Sequence, residues 1–272
     1  MKIRYRLAFE WKRDVVNRLQ DLGVSVSPTV MNPSNGGFAV AYVDEGESGW
    51  IEAYHLVRDS GGSILYTTEF TEEEIARADY CALRPAHYSG YPQPEGDFGF
   101  RTVTYDVHRF CEACGVGLRQ VAPFRVRRSL KWGRNDFLQL YWVPSEYFMK
   151  EAVWIAHLKG LGVRSNCVED TKGRGVDGIV QLRIDDCVDM DVEDVGGVVC
   201  DRCKRVYYRP IERGFFPAPL GAPDAAIFRT RQYFGTGHNG FNEVIVNSSV
   251  AAAIIAGGLR GVKLWPCAPV RS

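Results

Sequence analysis

Cys111-Glu112-Ala113-Cys114-Gly115 and Cys200-Asp201-Arg202-Cys203-Lys204 are the stretches whose reading decides the rest of this chain. Each C-x-x-C places two thiols on one tight turn, and two such turns supply the four soft ligands of a tetrahedral metal site. In a 272-residue chain with 8 cysteines, chance gives about 0.2 pairs at this spacing. Two pairs therefore point to a built feature, and the expectation is one structural zinc held by Cys111, Cys114, Cys200 and Cys203. About 85 residues separate the pairs, against roughly 15–20 in a local zinc module. A metal shared by both would close a long loop and staple the two ends of a large inserted segment.

Composition bounds the remaining possibilities. At 46% apolar residues the chain can bury a full core without needing a staple merely to fold. Lysine plus arginine equals aspartate plus glutamate at 33 each, which removes any global electrostatic case for nucleic acid or an anionic membrane. Met1-Lys2-Ile3-Arg4-Tyr5-Arg6 lacks the apolar core of a secretion signal, and the longest apolar run, 250–259, is too short to span a bilayer. The expectation is a soluble, cytoplasmic protein, in which C-x-x-C signals metal or redox chemistry rather than a disulfide. Redox chemistry would want the motif at a helix N-terminus, whereas Cys114-Gly115-Val116-Gly117 breaks helices. Cys81, Cys167, Cys187 and Cys267 stand singly and read as small buried hydrophobes.

Taken in order, residues 11–22 carry Val15, Val16, Leu19 and Leu22 at helical spacing, with Gly23 as a C-cap before a β-prone stretch. Strands are expected at 38–43 and 63–70, and helices at 50–57 and after Thr71. The Pro-, Gly- and Tyr-rich segment 88–99 reads as a boundary between an N-terminal α/β portion, 1–99, and a metal-bearing portion, 100–272. Residues 100–110 alternate like a strand leading into the first cysteine turn, as in a zinc ribbon. Inside the insertion, strand 137–143, helix 146–158 and strand 163–168 form a unit whose order returns in 241–246, 249–256 and 262–264. The fold class is therefore α+β, mixed α/β units around a zinc-ribbon-like element with a long insertion between its knuckles.

Several strings look chemical and are weak. Gly173-Arg174-Gly175-Val176-Asp177-Gly178 and Gly235-Thr236-Gly237-His238-Asn239-Gly240 match G-x-G-x-x-G, yet each is followed by strand-like sequence rather than a helix, so both read as loops. The five histidines form no metal-spaced pair. A basic run, Arg119, Arg125, Arg127, Arg128, Lys131 and Arg134, with Phe124 and Trp132 between, is the best nucleic-acid patch in the chain. Its simpler reading is a solvated face paired with the acidic run Asp185, Asp186, Asp189, Asp191, Glu193 and Asp194.

The C-x-x-C-G near the middle, the second C-x-x-C, and the C-terminal strings Tyr233-Phe234-Gly235, Val244-Ile245-Val246-Asn247-Ser248 and Leu259-Arg260-Gly261-Val262 resemble the double-CXXCG proteins. These are best represented among immunity partners of myxobacterial polymorphic toxins. The resemblance runs from about Phe110 to the C-terminus and departs at Lys204, where the family's second motif has glycine. It implies a non-catalytic protein that binds and blocks a cognate toxin in the cytoplasm. The acidic run is then the favoured toxin-facing feature, because nucleic-acid-directed toxins carry basic clefts. Trp142, Tyr147, Trp154, Tyr207, Tyr208, Phe215 and Phe216 are aromatic candidates for anchors or core. The alternative is a zinc-ribbon nucleic-acid-binding or regulatory protein using the basic run with Lys204, Arg205, Arg209 and Arg213. A third class, an enzyme whose residues converge only in space, would announce itself as a deep pocket of clustered polar groups.

Overall fold

The computed structural model describes residues 1–32, 36–127 and 130–270. Its contacts divide the chain into two units, Met1–Thr71 with Ile211–Gly214, and Glu72–Pro210 with Phe215–Ser272. The 88–99 segment lies inside the second unit, where Gln93 N–H donates to Arg125 O at 2.8 Å and Tyr141 N–H to Gly90 O at 3.0 Å. Its Pro and Gly residues serve turns within that body.

In the first unit the chain runs through β1 (Lys2–Glu10), α1 (Arg13–Asp21), β2 (Val26–Asn32), β3 (Gly36–Asp44), α2 (Trp50–Asp59) and β4 (Ser63–Glu69). The sheet order is β2-β3-β1-β4 with every pair antiparallel, a split β-α-β topology. Strict alternation in β1 turns Ile3, Tyr5, Leu7 and Phe9 inward. They meet Val15, Val16 and Leu19 of α1 and Ala53 and Val57 of α2 in one apolar cluster, each large side chain contributing about 1.5–3 kcal/mol. Thr68 Oγ1 donates to Glu212 O at 3.0 Å, which ties 211–214 to this unit.

The second unit begins with α3 (Glu72–Arg77), β5 (Tyr80–Pro85), α4 (Phe100–Thr104), β6 (Tyr105–Asp106), β7 (Arg119–Gln120), β8 (Arg125–Val126) and β9 (Phe137–Gln139). It continues with β10 (Tyr147–Lys150), α5 (Glu151–His157), β11 (Arg164–Asp170), β12 (Gly175–Arg183), β13 (Cys187–Val188), β14 (Gly197–Val199) and β15 (Val206–Tyr208). The last elements are β16 (Ile227–Thr236), β17 (Asn239–Asn247), α6 (Ser248–Ala256) and β18 (Val262–Pro266). One sheet has the order β8-β11-β12-β10-β9, another β14-β15-β16-β17-β5-β18 with β13 beside β16, and β6 pairs β7. Tyr147, Met149, Val180 and Leu182 of the first sheet pack with Leu83, Val244 and Val246 of the second and with Val250 and Ile254 of α6.

The recurring strand-helix-strand unit has a topological counterpart. β10 and β11 flank β12 and both run antiparallel to it, and β17 and β18 flank β5 in the same way. β1 and β2 stand likewise on either side of β3.

Two local expectations are corrected. Residues 100–104 form a helix, because Phe100 and Thr104, one turn apart, are both fully buried on the same face. The segment 146–158 starts as a strand: Tyr147, Phe148 and Met149 are all buried, Tyr147 and Met149 in one core and Phe148 in another, which only a strand between two apolar layers allows. No helix among the described residues is long and apolar enough to cross a membrane.

Candidate metal centre

The four cysteines of the two motifs converge. Cys111, Cys114, Cys200 and Cys203 bring their sulfurs within 4.8 Å of one another, the first three buried and Cys203 half-buried. Cys111 Sγ lies 3.9 Å from Cys200 Sγ, and Cys114 Sγ lies 3.6 Å from Cys203 Sγ. A tetrahedral ion with metal–sulfur bonds of about 2.3 Å holds its ligands about 3.8 Å apart. The donor set therefore fits one metal ion, with both motifs contributing equally.

Both cysteine turns have the same backbone design. Cys111 N–H donates to Val116 O at 2.9 Å and Gly115 N–H to Cys111 O at 2.7 Å. In the second turn Cys200 N–H donates to Arg205 O at 2.9 Å and Lys204 N–H to Cys200 O at 2.8 Å. A short antiparallel pair flanks each turn, β6 with β7 and β14 with β15. Amides inside the turns face sulfur. The Cys203 N–H, aided by Arg202 N–H and opposed by burial, brings the Cys200 thiol down to about 7. Burial pushes the Cys111 thiol up, but the N–H groups of Cys114 and Ala113 outweigh it and the net shift is downward. Burial holds the Cys114 thiol up at about 12. Thiols this close ionise together only around a cation.

The β16–β17 hairpin explains how turns 89 residues apart meet. β15, which follows the second turn, adds to β16 in parallel through Tyr207 and Tyr233. The hairpin tip docks on the first turn, with Gly240 N–H donating to Cys114 O at 2.8 Å and His238 Nδ1 2.8 Å from Glu112 O. That contact gives the second glycine string its purpose: a Cβ on Gly240 would lie 2.6 Å from Cys114 O, and one on Gly115 2.2 Å from His238 O. Arg205 adds a direct bridge between the turns, donating through Nη1 to Val116 O at 3.0 Å and through Nη2 to Arg109 O. Sequence reasoning missed this role, since a basic residue after a knuckle reads equally well as a phosphate contact.

The other candidates are dispersed differently. Asp185 pairs with Arg164 at 2.7 Å and Arg183 at 2.8 Å, and Asp189 with Arg231 at 3.0 Å. Asp186, Glu193 and Asp194 are exposed, and Asp191 is half-buried. The expected pairing with the acidic run is corrected for three members of the basic run: Arg119 pairs with Asp106, Arg125 with Glu169 and Arg127 with Glu95. Arg128 lies outside the described residues. Arg213 pairs with Glu45 at 2.5 Å within the first unit. Cys81 and Cys267 are buried, but Cys167 and Cys187 are exposed, contrary to expectation, on strands whose outward positions they occupy. Tyr147 and Phe216 are core, whereas Trp142 is 44% exposed.

No family model, no curated protein and no solved structure matches the chain.

Proposed function

We propose that the protein is a non-catalytic immunity protein of the cytoplasm, which binds a cognate bacterial toxin stoichiometrically and blocks it. In this reading the cysteine centre holds one structural zinc, and the two turns with their flanking strand pairs act as a zinc-ribbon-like clamp. The observation that supports it is the donor set itself. Four thiols complete the tetrahedron and leave no position for a water or a substrate, so a bound zinc organises the fold and does not activate a nucleophile. The segment between the turns contains all of β8 to β12, the whole five-stranded sheet, so the clamp fixes both ends of a large presenting surface.

The toxin is assigned by the resemblance of the cysteine and C-terminal strings, and its docking by charge. Asp186, Glu193 and Asp194 are exposed members of the acidic run and would steer a basic toxin cleft onto this face. The test is co-expression with the product of a toxin-like reading frame adjacent in the genome. Growth protection and a one-to-one complex are expected, with association slowed by Asp186→Lys, Glu193→Lys and Asp194→Lys together. A toxin that neither binds nor is neutralised rejects the function, and unchanged association of the charge-reversed protein rejects the surface.

A further inference from the structure

The second unit carries a cleft of about 730 Å³ beside the cysteine centre, walled by the end of α4, the 142–146 loop, β12 and the β16–β17 tip. This volume lies within the range of about 300–1,000 Å³ typical of small-molecule sites. Such a cavity was the feature expected of a site assembled only in three dimensions.

Most charges around the cleft neutralise one another. Arg229 Nη2 donates to both Glu146 carboxylate oxygens at 3.0 Å, and Gln181 Nε2 donates to Glu146 Oε2 at 2.8 Å. Gln120 and Gln181 exchange amide hydrogen bonds of 2.9 and 2.7 Å. On the rim, Arg183 is matched by Asp185 and Arg119 by Asp106. Arg101 is the exception: among the described residues its guanidinium makes no hydrogen bond or ion pair, and its Nε is buried without a partner. Instead it is held over the rings of Phe98, 4.4 Å away, and Phe110, 5.0 Å away. The Glu112 carboxylate acts on it only at a distance, and a fixed cation with no bonded counter-ion on a cavity wall is a receptor for an anion.

The neighbouring groups set what the anion is attached to. Tyr105 lines the same wall, and burial, followed by the Glu146 carboxylate, raises its pKa well above the ordinary value, so the phenol stays a hydrogen-bond donor. Trp142 and Ser145 both adopt left-handed backbone, at φ 70° and 66°, at a cost of roughly 1–2 kcal/mol each. Ser145 Oγ is buried with no partner, while Arg229 Nη1 fixes its carbonyl at 3.1 Å. Strain and an unsatisfied hydroxyl gathered on one cavity wall mark a site shaped for something other than packing. The part-exposed Trp142 ring supplies an apolar face on the same wall.

We propose that this cleft binds a small organic anion, a carboxylate or phosphate monoester bearing hydroxyl groups, with its charge on Arg101 and its body against Tyr105 and Trp142. The site goes beyond the immunity reading and stands or falls separately from it.

Isothermal titration of the metal-loaded full-length protein with ribose 5-phosphate, gluconate and uncharged ribose tests the proposal. One or both anions are expected to bind with Kd at or below about 1 mM, and ribose is not. The anion that binds tells phosphate from carboxylate. Arg101→Gln should weaken binding by at least about tenfold, the scale of a lost charge-assisted hydrogen bond, with circular dichroism and metal content unchanged. Tyr105→Phe should weaken it several-fold and carries the mutational test if Arg101→Gln does not fold. The proposal is overturned if neither anion binds at about 10 mM, if ribose binds as well as they do, or if the folded variant binds as wild type does.

Discussion

Gly115 and Lys204 occupy the same position in two copies of one cysteine turn, with φ of 77° and 60°. The shared conformation explains how the second motif works without glycine, and the surroundings explain why the first does not. Above Gly115 the hairpin tip leaves no room for a Cβ, which would meet His238 O at 2.2 Å. Lys204 has only the conformational cost to bear.

The two positions should therefore respond oppositely. Gly115→Ala is expected to lose more than about 2 kcal/mol of stability, because both strain and a backbone clash must be relieved. Lys204→Gly is expected to gain about 0.5–1 kcal/mol, the left-handed penalty less the added freedom of the unfolded chain. Urea unfolding of the metal-loaded proteins checks both signs. Equal effects would show that the hairpin tip does not crowd Gly115 in the way the 2.2 Å approach of His238 O indicates.

Arg229 and Glu146 form a pair whose side chains are only 17% and 8% exposed. Arg229→Met leaves a buried carboxylate facing Gln181 alone and should cost about 3 kcal/mol. Adding Glu146→Gln removes the stranded charge and should recover part of that loss. A double-mutant cycle in urea measures the coupling, and a value near zero would contradict a buried, bidentate pair.

Within the first unit, hydrogen bonding from Arg4, reinforced by Lys2 against the opposing effect of burial, holds the Asp44 carboxyl at about 2, below its ordinary 3.8. A lowered folded-state pKa means that the pair's contribution is complete above pH 3.8 and disappears as the pH falls toward 2. With Lys2 and Arg4 48% and 36% exposed, Asp44→Asn should cost about 1 kcal/mol at neutral pH. Carboxyl titration by NMR checks the pKa directly, and a midpoint near 3.8 would contradict the pairing.

How far the sequence could be read depended on whether a residue's role was local. The helices α1 and α2 were legible because their apolar spacing is local, and α6 because its N-cap is, with Asn247 accepting from Val250 N–H at its start. Strand β5 escaped notice because Tyr80, Cys81, Ala82 and Leu83 are all buried, and a short unbroken apolar run has no period to read. Alternation misled at Phe100, where an i, i+4 contact decided the matter. Of the candidate metal centre, the four cysteines that converge were legible from spacing. Its supports, the Gly240 approach and the Arg205 bridge, were not, since both depend on a hairpin formed more than a hundred residues after the first turn. The cleft around Arg101 was hidden for the same reason: its walls come from many separate stretches of chain, from Arg101 to Asn242.

The central claim is that both cysteine turns grip one ion, and elemental analysis of the purified protein beside Cys111→Ser and Cys200→Ser tests it most directly. One zinc per chain is expected in the wild type, lost from each variant alone, with chelation lowering the unfolding midpoint. A wild type that is metal-free and keeps its stability after chelation would contradict the claim, as would two variants that each retain the full complement of metal.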